Sequence, residues 1–136
     1  INTEDLWIRG VESSLEAKLG SVASGGASWS FASANSDLLG PKPLDFFPRH
    51  RLGSWLRAQV RNAGAQLQMQ YFGTQIDKNT ELPRRYLVQL SAHYHLQERY
   101  LVTLRVENLL DRDYEQRLGV AAPGRVFFAS VQSEWD

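Results

Sequence analysis

The stretch from Tyr100 to Trp135, YLVTLRVENLLDRDYEQRLGVAAPGRVFFASVQSEW, constrains the fold more than any other. In its first part Tyr100, Val102, Leu104 and Val106 alternate with Thr103, Arg105 and Glu107. In its last part Phe127, Ala129, Val131 and Trp135 alternate with Ser130, Gln132 and Glu134. Side chains on a strand point to opposite sides in turn, so a period of two gives one apolar and one polar face. The apolar faces begin or end in aromatic rings. Strands that cross a bilayer have this pattern, with rings at the headgroup level and aliphatic side chains between.

The same period runs through the rest of the chain. Val11, Leu15, Ala17 and Leu19 alternate with Glu12, Ser14, Glu16 and Lys18. A connection over 21–26 leads to Ala27, Trp29 and Phe31, set against Ser28 and Ser30. After a long polar segment (35–50), Leu52, Leu56, Ala58 and Val60 alternate with Trp55, Arg57, Gln59 and Arg61. Arg61-Asn62-Ala63-Gly64 reads as a tight hairpin. Ala65, Leu67, Met69 and Tyr71 then alternate with Gln66, Gln68 and Gln70. A ladder of glutamines on one face needs many hydrogen-bond partners and suits a wet lumen better than a dry core. A second long segment (74–84) precedes Tyr86, Val88, Leu90, Ala92, Tyr94 and Leu96, opposed by Gln89, Ser91, His93 and His95. Gln97-Glu98-Arg99 turns the chain back to Tyr100, and the third long segment is 110–124.

The pattern therefore predicts an all-β chain of about seven antiparallel strands, each near the ~9–11 residues that a tilted membrane strand needs. Connections alternate short and long, as do the periplasmic turns and extracellular loops of outer-membrane barrels. This rhythm puts the three long segments outside. Tyr71, Tyr86 and Phe127 then fall in an outer aromatic girdle, and Tyr94, Tyr100 and Trp135 in an inner one. Seven strands do not close a bacterial single-chain barrel, and an open edge is not viable in lipid. More strands are expected to complete the wall.

Composition removes other classes. Fifteen basic and fifteen acidic residues give a formal charge of zero, so no electrostatic case for nucleic acid exists. Without cysteine there is no disulfide framework and no thiolate chemistry. No apolar run reaches the roughly 18 residues of a membrane helix. Neither a Gly-x-Ser-x-Gly elbow nor a glycine-rich phosphate loop occurs, so the chain is not expected to be an enzyme or to hold a cofactor.

Three pieces carry a family resemblance: VENLLDRDYE, then APGRVFFASV, then a terminal aromatic. In residues these are Asn108, Leu109, Leu110, Asp111, Tyr114, Pro123, Gly124, Arg125 and Trp135. With KPLDFFPRH at 42–50, they resemble the C-terminal part of a TonB-dependent outer-membrane receptor. One departure is Asp136, which follows the aromatic where the family usually ends on it. The resemblance implies that residues 1–136 are a C-terminal segment of a roughly 22-stranded barrel. It implies partners outside this chain: the remaining strands, an N-terminal plug, TonB acting through a TonB box, and the transported ligand. It implies an outer-membrane location and uptake of a scarce solute such as an iron-siderophore complex or cobalamin.

Candidate site residues follow from placement. Arg57, Arg105, Glu107, Gln66, Gln68 and Gln70 are expected to face the lumen and its plug. Phe46, Phe47 and Tyr114, on long loops, are candidates for contacting the solute, since loops on a rigid scaffold carry recognition. His93 and His95 lie two apart on one face but lack a third ligand, so lumen lining is expected and no metal. Asp111, Asp113 and Glu115 lack the glycine and distant glutamate of an EF-hand loop, and read as a cap and a solvated loop. A second reading inverts the faces: a small soluble lipocalin-like barrel with its apolar side inward around an apolar ligand.

Overall fold

The computed structural model describes residues 6–36, 40–42, 47–77, 80–97 and 99–133; Phe46 and Trp135 lie outside them. In chain order the strands are β1 (Leu6–Leu19), β2 (Ala23–Ser36), β3 (Gly40–Lys42), β4 (His50–Val60), β5 (Ala63–Phe72) and β6 (Gln75–Asp77). They continue with β7 (Thr80–Leu82), β8 (Arg85–Leu96), β9 (Tyr100–Glu107), β10 (Glu115–Arg117), β11 (Val120–Ala121) and β12 (Val126–Ser133). The described residues contain no helix.

The main sheet is an antiparallel meander in the order β1-β2-β4-β5-β8-β9-β12, with β3 added to the far end of β2. These are the seven strands expected from the alternation. β6–β7 and β10–β11 form two small hairpins inside the second and third long connections. Among the described residues β1 pairs only with β2 and β12 only with β9, so the sheet does not close on itself.

Register fixes the two faces. Residues opposite one another in an antiparallel pair share a face. One row reads Trp29, Leu52, Tyr71, Tyr86, and another Leu56, Leu67, Leu90, Val106, Phe127. Alternating with the apolar rows, on the opposite face, are polar rows such as Arg57, Gln66, Ser91, Arg105. A slip of one residue in any pair would put arginines and glutamines among leucines, so the alternation itself specifies the register.

Among the described residues the main sheet has no second layer packed against it. Leu82 and Pro48 are the buried apolar side chains among the described residues, in a chain that is 43% hydrophobic. Leu15, Phe127 and Val131 are 72%, 70% and 69% exposed. So many large apolar side chains left open along a single sheet are rare on monomeric soluble proteins. Stability in such a wall rests on its backbone ladder and on whatever solvent covers the apolar face.

The first turn differs from the sequence expectation. It occupies Gly20–Val22, and β2 already begins at Ala23, so Gly25 and Gly26 lie within a strand and not in a connection. The reason is across the sheet: Gly26 is opposite Trp55, and a Cβ on it would sit 2.6 Å from the indole Nε1. Glycine here makes room for a large ring on the polar face. The β4–β5 turn is the two residues Arg61-Asn62, with Arg61 at φ +49°. Together with the turn after β8 these form one end of the sheet; the strand ends that lead into the three long connections lie at the other.

Candidate functional site

The end of the sheet with the long connections is held together by side chains, and the C-terminal motif supplies much of the hold. Asn108 follows β9 at φ +48°, a left-handed conformation that asparagine tolerates better than most residues. Its Nδ2 donates to Arg112 O at 2.9 Å and its Oδ1 accepts from Arg112 N at 3.1 Å. The same Nδ2 lies 3.4 Å from Pro123 O. Asp111, at φ +51°, accepts from Arg125 N at 2.8 Å through Oδ1. A Cβ on Gly124 would stand 3.1 Å from that oxygen, so a side chain there would crowd the bond. The Asn…Asp…Gly-Arg spacing thus closes the root of the third connection and aims β12 back into the sheet. Asp111 acts as a cap, as the sequence suggested, and Glu115 Oε2 accepts from Gly119 N at 2.9 Å inside the β10–β11 hairpin.

The second and third connections are joined to each other. Gln75 and Asp77, on β6, are 2% and 1% exposed. Gln75 Nε2 donates to Gln116 O at 3.0 Å, and Asp77 Oδ2 accepts from Leu118 N at 2.7 Å. The β6–β7 and β10–β11 hairpins are therefore clasped. Hydrogen bonds to charged groups contribute about 1.5–3 kcal/mol. Asp77→Ala is accordingly expected to speed amide exchange at 117–120 by about 10- to 100-fold, with β8 unchanged, as read by hydrogen-exchange mass spectrometry. Equal protection in the variant would show that the clasp does not hold the hairpins.

Beneath the clasp, arginines and aromatic rings alternate. The Arg51 guanidinium lies 4.0 Å from the Phe47 ring and 5.9 Å from Phe72. Arg85 lies 4.6 Å from Phe72 and 6.0 Å from Tyr114. Arg85 Nη1 also donates to Gln75 Oε1 at 3.1 Å, which ties this chain of rings and cations to the clasp. Arg51 Nε is buried and has no hydrogen-bond partner among the described residues. Two of the sequence-predicted contact residues, Phe47 and Tyr114, stand at the two ends of this series. The residues that link them, Arg51, Phe72 and Arg85, were not singled out from the sequence, although the alternation puts all three on the polar face.

Tyr114 borders two hollows. One, of about 190 Å³, is lined by Gln68, Gln70, Gln89, Glu107 and Asn108. The other, of about 600 Å³, is lined by Phe72, Arg85, Leu87, Gln116 and Arg117. Tyr114, Gln68, Gln70 and Glu107, predicted separately, are thus brought to one place. Farther down the face Arg57 donates to Gln66 Oε1 through Nε and Nη2 at 3.1 and 2.8 Å and lies 5.5 Å from the Trp55 ring. Arg105 and Glu107 form an ion pair at 3.4 Å, with Arg105 also 4.4 Å from the Phe128 ring. Both partners of that pair are 43% exposed, so it contributes little to stability.

Near the short-turn end, His93 Nε2 lies 3.1 Å from Gln59 Oε1 and 6.0 Å, ring to ring, from His95. An amide oxygen only accepts, so this contact requires the proton on Nε2. No group of three metal-ligating side chains occurs among the described residues. On the apolar face Tyr71 and Tyr86 are opposite one another with centroids 4.9 Å apart. Tyr94 is opposite Ala63, Tyr100 opposite Leu96, and Phe127 opposite Val106.

No protein-family model matches the chain. Solved structures do. The copper transporter OprC aligns with a TM-score of 0.83 at 18% identity, over 93% of this chain and 22% of that one. FpvAI, in its complex with pyocin S2, gives 0.77 at 17% identity, over 91% and 18%. The ferric-catecholate import receptor Fiu of E. coli K12 gives 0.75 at 16% identity, over 91% and 20%. The chain spans about a fifth of the length of each. With its antiparallel order and opposed apolar and polar faces, the described sheet has the fold of a stretch of antiparallel β-barrel wall, as found in these three proteins.

Proposed function

We propose that this chain forms part of the wall of an outer-membrane, TonB-dependent transporter that takes up a scarce solute. The observation that carries the reading is the two-faced single sheet. Its apolar face needs lipid, its polar face needs a wet lumen, and its long connections gather at one end. On this reading Arg57, Arg105, Glu107 and the Gln66/Gln68/Gln70 ladder face the lumen and a plug supplied by other parts of the protein. Tyr71, Tyr86 and Phe127 mark the outer interface, Tyr94 and Tyr100 the inner one. The remaining strands pair with the free edges of β1 and β12, and TonB acts on a segment outside this chain.

The solute meets the end formed by the clasped hairpins. Phe47 and Tyr114 are the contact residues, with Arg51 and Arg85 between them. Two guanidiniums set among aromatic rings favour a solute that carries negative charge and flat surface, such as an anionic iron chelate, over a bare cation. The lipocalin-like alternative requires a sheet closed around its apolar side, and the open order of this sheet speaks against it.

The test is extraction and migration. Membranes from cells that express the protein containing this chain are extracted with detergent and run unboiled and boiled. The expectation is recovery in the outer-membrane fraction and a mobility that changes on boiling, as a barrel unfolds. Recovery of a folded protein from the soluble fraction without detergent would contradict the reading.

A further inference from the structure

The apolar face is not uniformly rough. The row Trp29, Leu52, Tyr71, Tyr86 consists of large side chains; the next row toward the short turns begins with Ala27 and Ser54 before Met69 and Val88. The two small residues leave a groove of about 490 Å³, with Leu52, Met69, Tyr71, Tyr86, Leu110 and Arg112 among its walls. That volume lies within the ~300–1,000 Å³ of small-molecule sites. The Tyr71–Tyr86 ring pair makes one wall rigid.

A cation stands at the rim. Asn108 binds both the N–H and the C=O of Arg112, so the root of this side chain is fixed beside the groove. The Arg112 side chain is exposed, and no carboxylate of a described residue pairs with it. Neighbouring Asp111 is turned to Arg125 N–H instead. Acyl chains alone would fill an apolar groove open to lipid. An arginine held at its edge adds a requirement on the headgroup, because a guanidinium presents a planar fork of donors to phosphate.

Resting on the reading that this face meets lipid, we infer that the groove binds a net-anionic phosphorylated lipid, one acyl chain over Ala27 and Ser54 and the phosphate at Arg112. Such a site lies outside the lumen and outside the path of the solute. It would fix the third connection to the membrane surface at the point where Asn108 roots it.

Native mass spectrometry of the detergent-extracted barrel that contains this chain tests the inference, with phosphatidylglycerol and phosphatidylcholine of identical acyl chains as probes. The expected result is tighter binding of phosphatidylglycerol. Arg112→Ala should weaken phosphatidylglycerol about fivefold, the worth of one basic residue at a headgroup surface, and leave phosphatidylcholine unchanged. Ser54→Phe should fill the groove and weaken both lipids. A barrel that binds the two lipids alike, or keeps its preference in both variants, overturns the lipid site and leaves the membrane reading standing. Absence of the protein from the membrane extract overturns the membrane reading itself.

Discussion

Leu90→Arg is expected to destabilise the assembled barrel by about 2–4 kcal/mol, while Gln89→Arg, one residue earlier, costs under about 1 kcal/mol. Leu90 is near the middle of β8, opposite Leu67 and Val106, on the apolar face. A charge there sits at hydrocarbon depth with aliphatic neighbours on both sides and no partner to pair with. Gln89 is opposite Gln68 on the polar face, where an added guanidinium stays hydrated. Urea unfolding in lipid vesicles measures both. In a soluble protein the order would differ, because Leu90 is 38% exposed and a charge at an exposed position is tolerated. Equal costs for the two variants would count against a membrane-facing surface here.

Asn108→Val is expected to cost about 3–4 kcal/mol in the same assay, from two lost hydrogen bonds at about 1 kcal/mol each and a β-branched residue forced into a left-handed conformation at about 1–2 kcal/mol. Asn108→Gly separates the two causes. Glycine accepts φ +48° freely and loses only the bonds, so about 2 kcal/mol is expected. Asn108 is 7% exposed, and without it the N–H and C=O of Arg112 must find other partners. If valine and glycine cost the same, the backbone conformation at 108 contributes nothing, and the motif is explained by its hydrogen bonds alone.

The faces of the sheet could be read from the sequence because a strand has a period of two, and no tertiary knowledge is needed to sort Gln66, Gln68 and Gln70 from Leu67, Met69 and Tyr71. That parity put Arg57, Arg105 and Glu107 on one side with the glutamines, as the register has them. Parity fails where a residue is chosen for something across the sheet. Gly25 and Gly26 punctuate the sequence like a turn, yet Gly26 is in β2 because Trp55 fills the space of its side chain. The connections hid more. Gln75 and Asp77 look like ordinary polar loop residues, and their partners Gln116 and Leu118 lie 41 positions away. No local pattern encodes a clasp between two hairpins. Tyr114 was legible through its motif, whereas Arg85, which links it to Phe72, was visible only as a charge at the start of a strand.

The most direct test uses the absence of cysteine from this chain. Single cysteines are placed in turn at 101–106 along β9 in the assembled barrel, and each is labelled from water with a charged maleimide and from the bilayer with a lipid-soluble one. The account predicts alternation: the even positions 102, 104 and 106 react from lipid, and 101, 103 and 105 react from water. Labelling from water at every position, or from lipid at the odd ones, would contradict a wall with lipid on one face and lumen on the other.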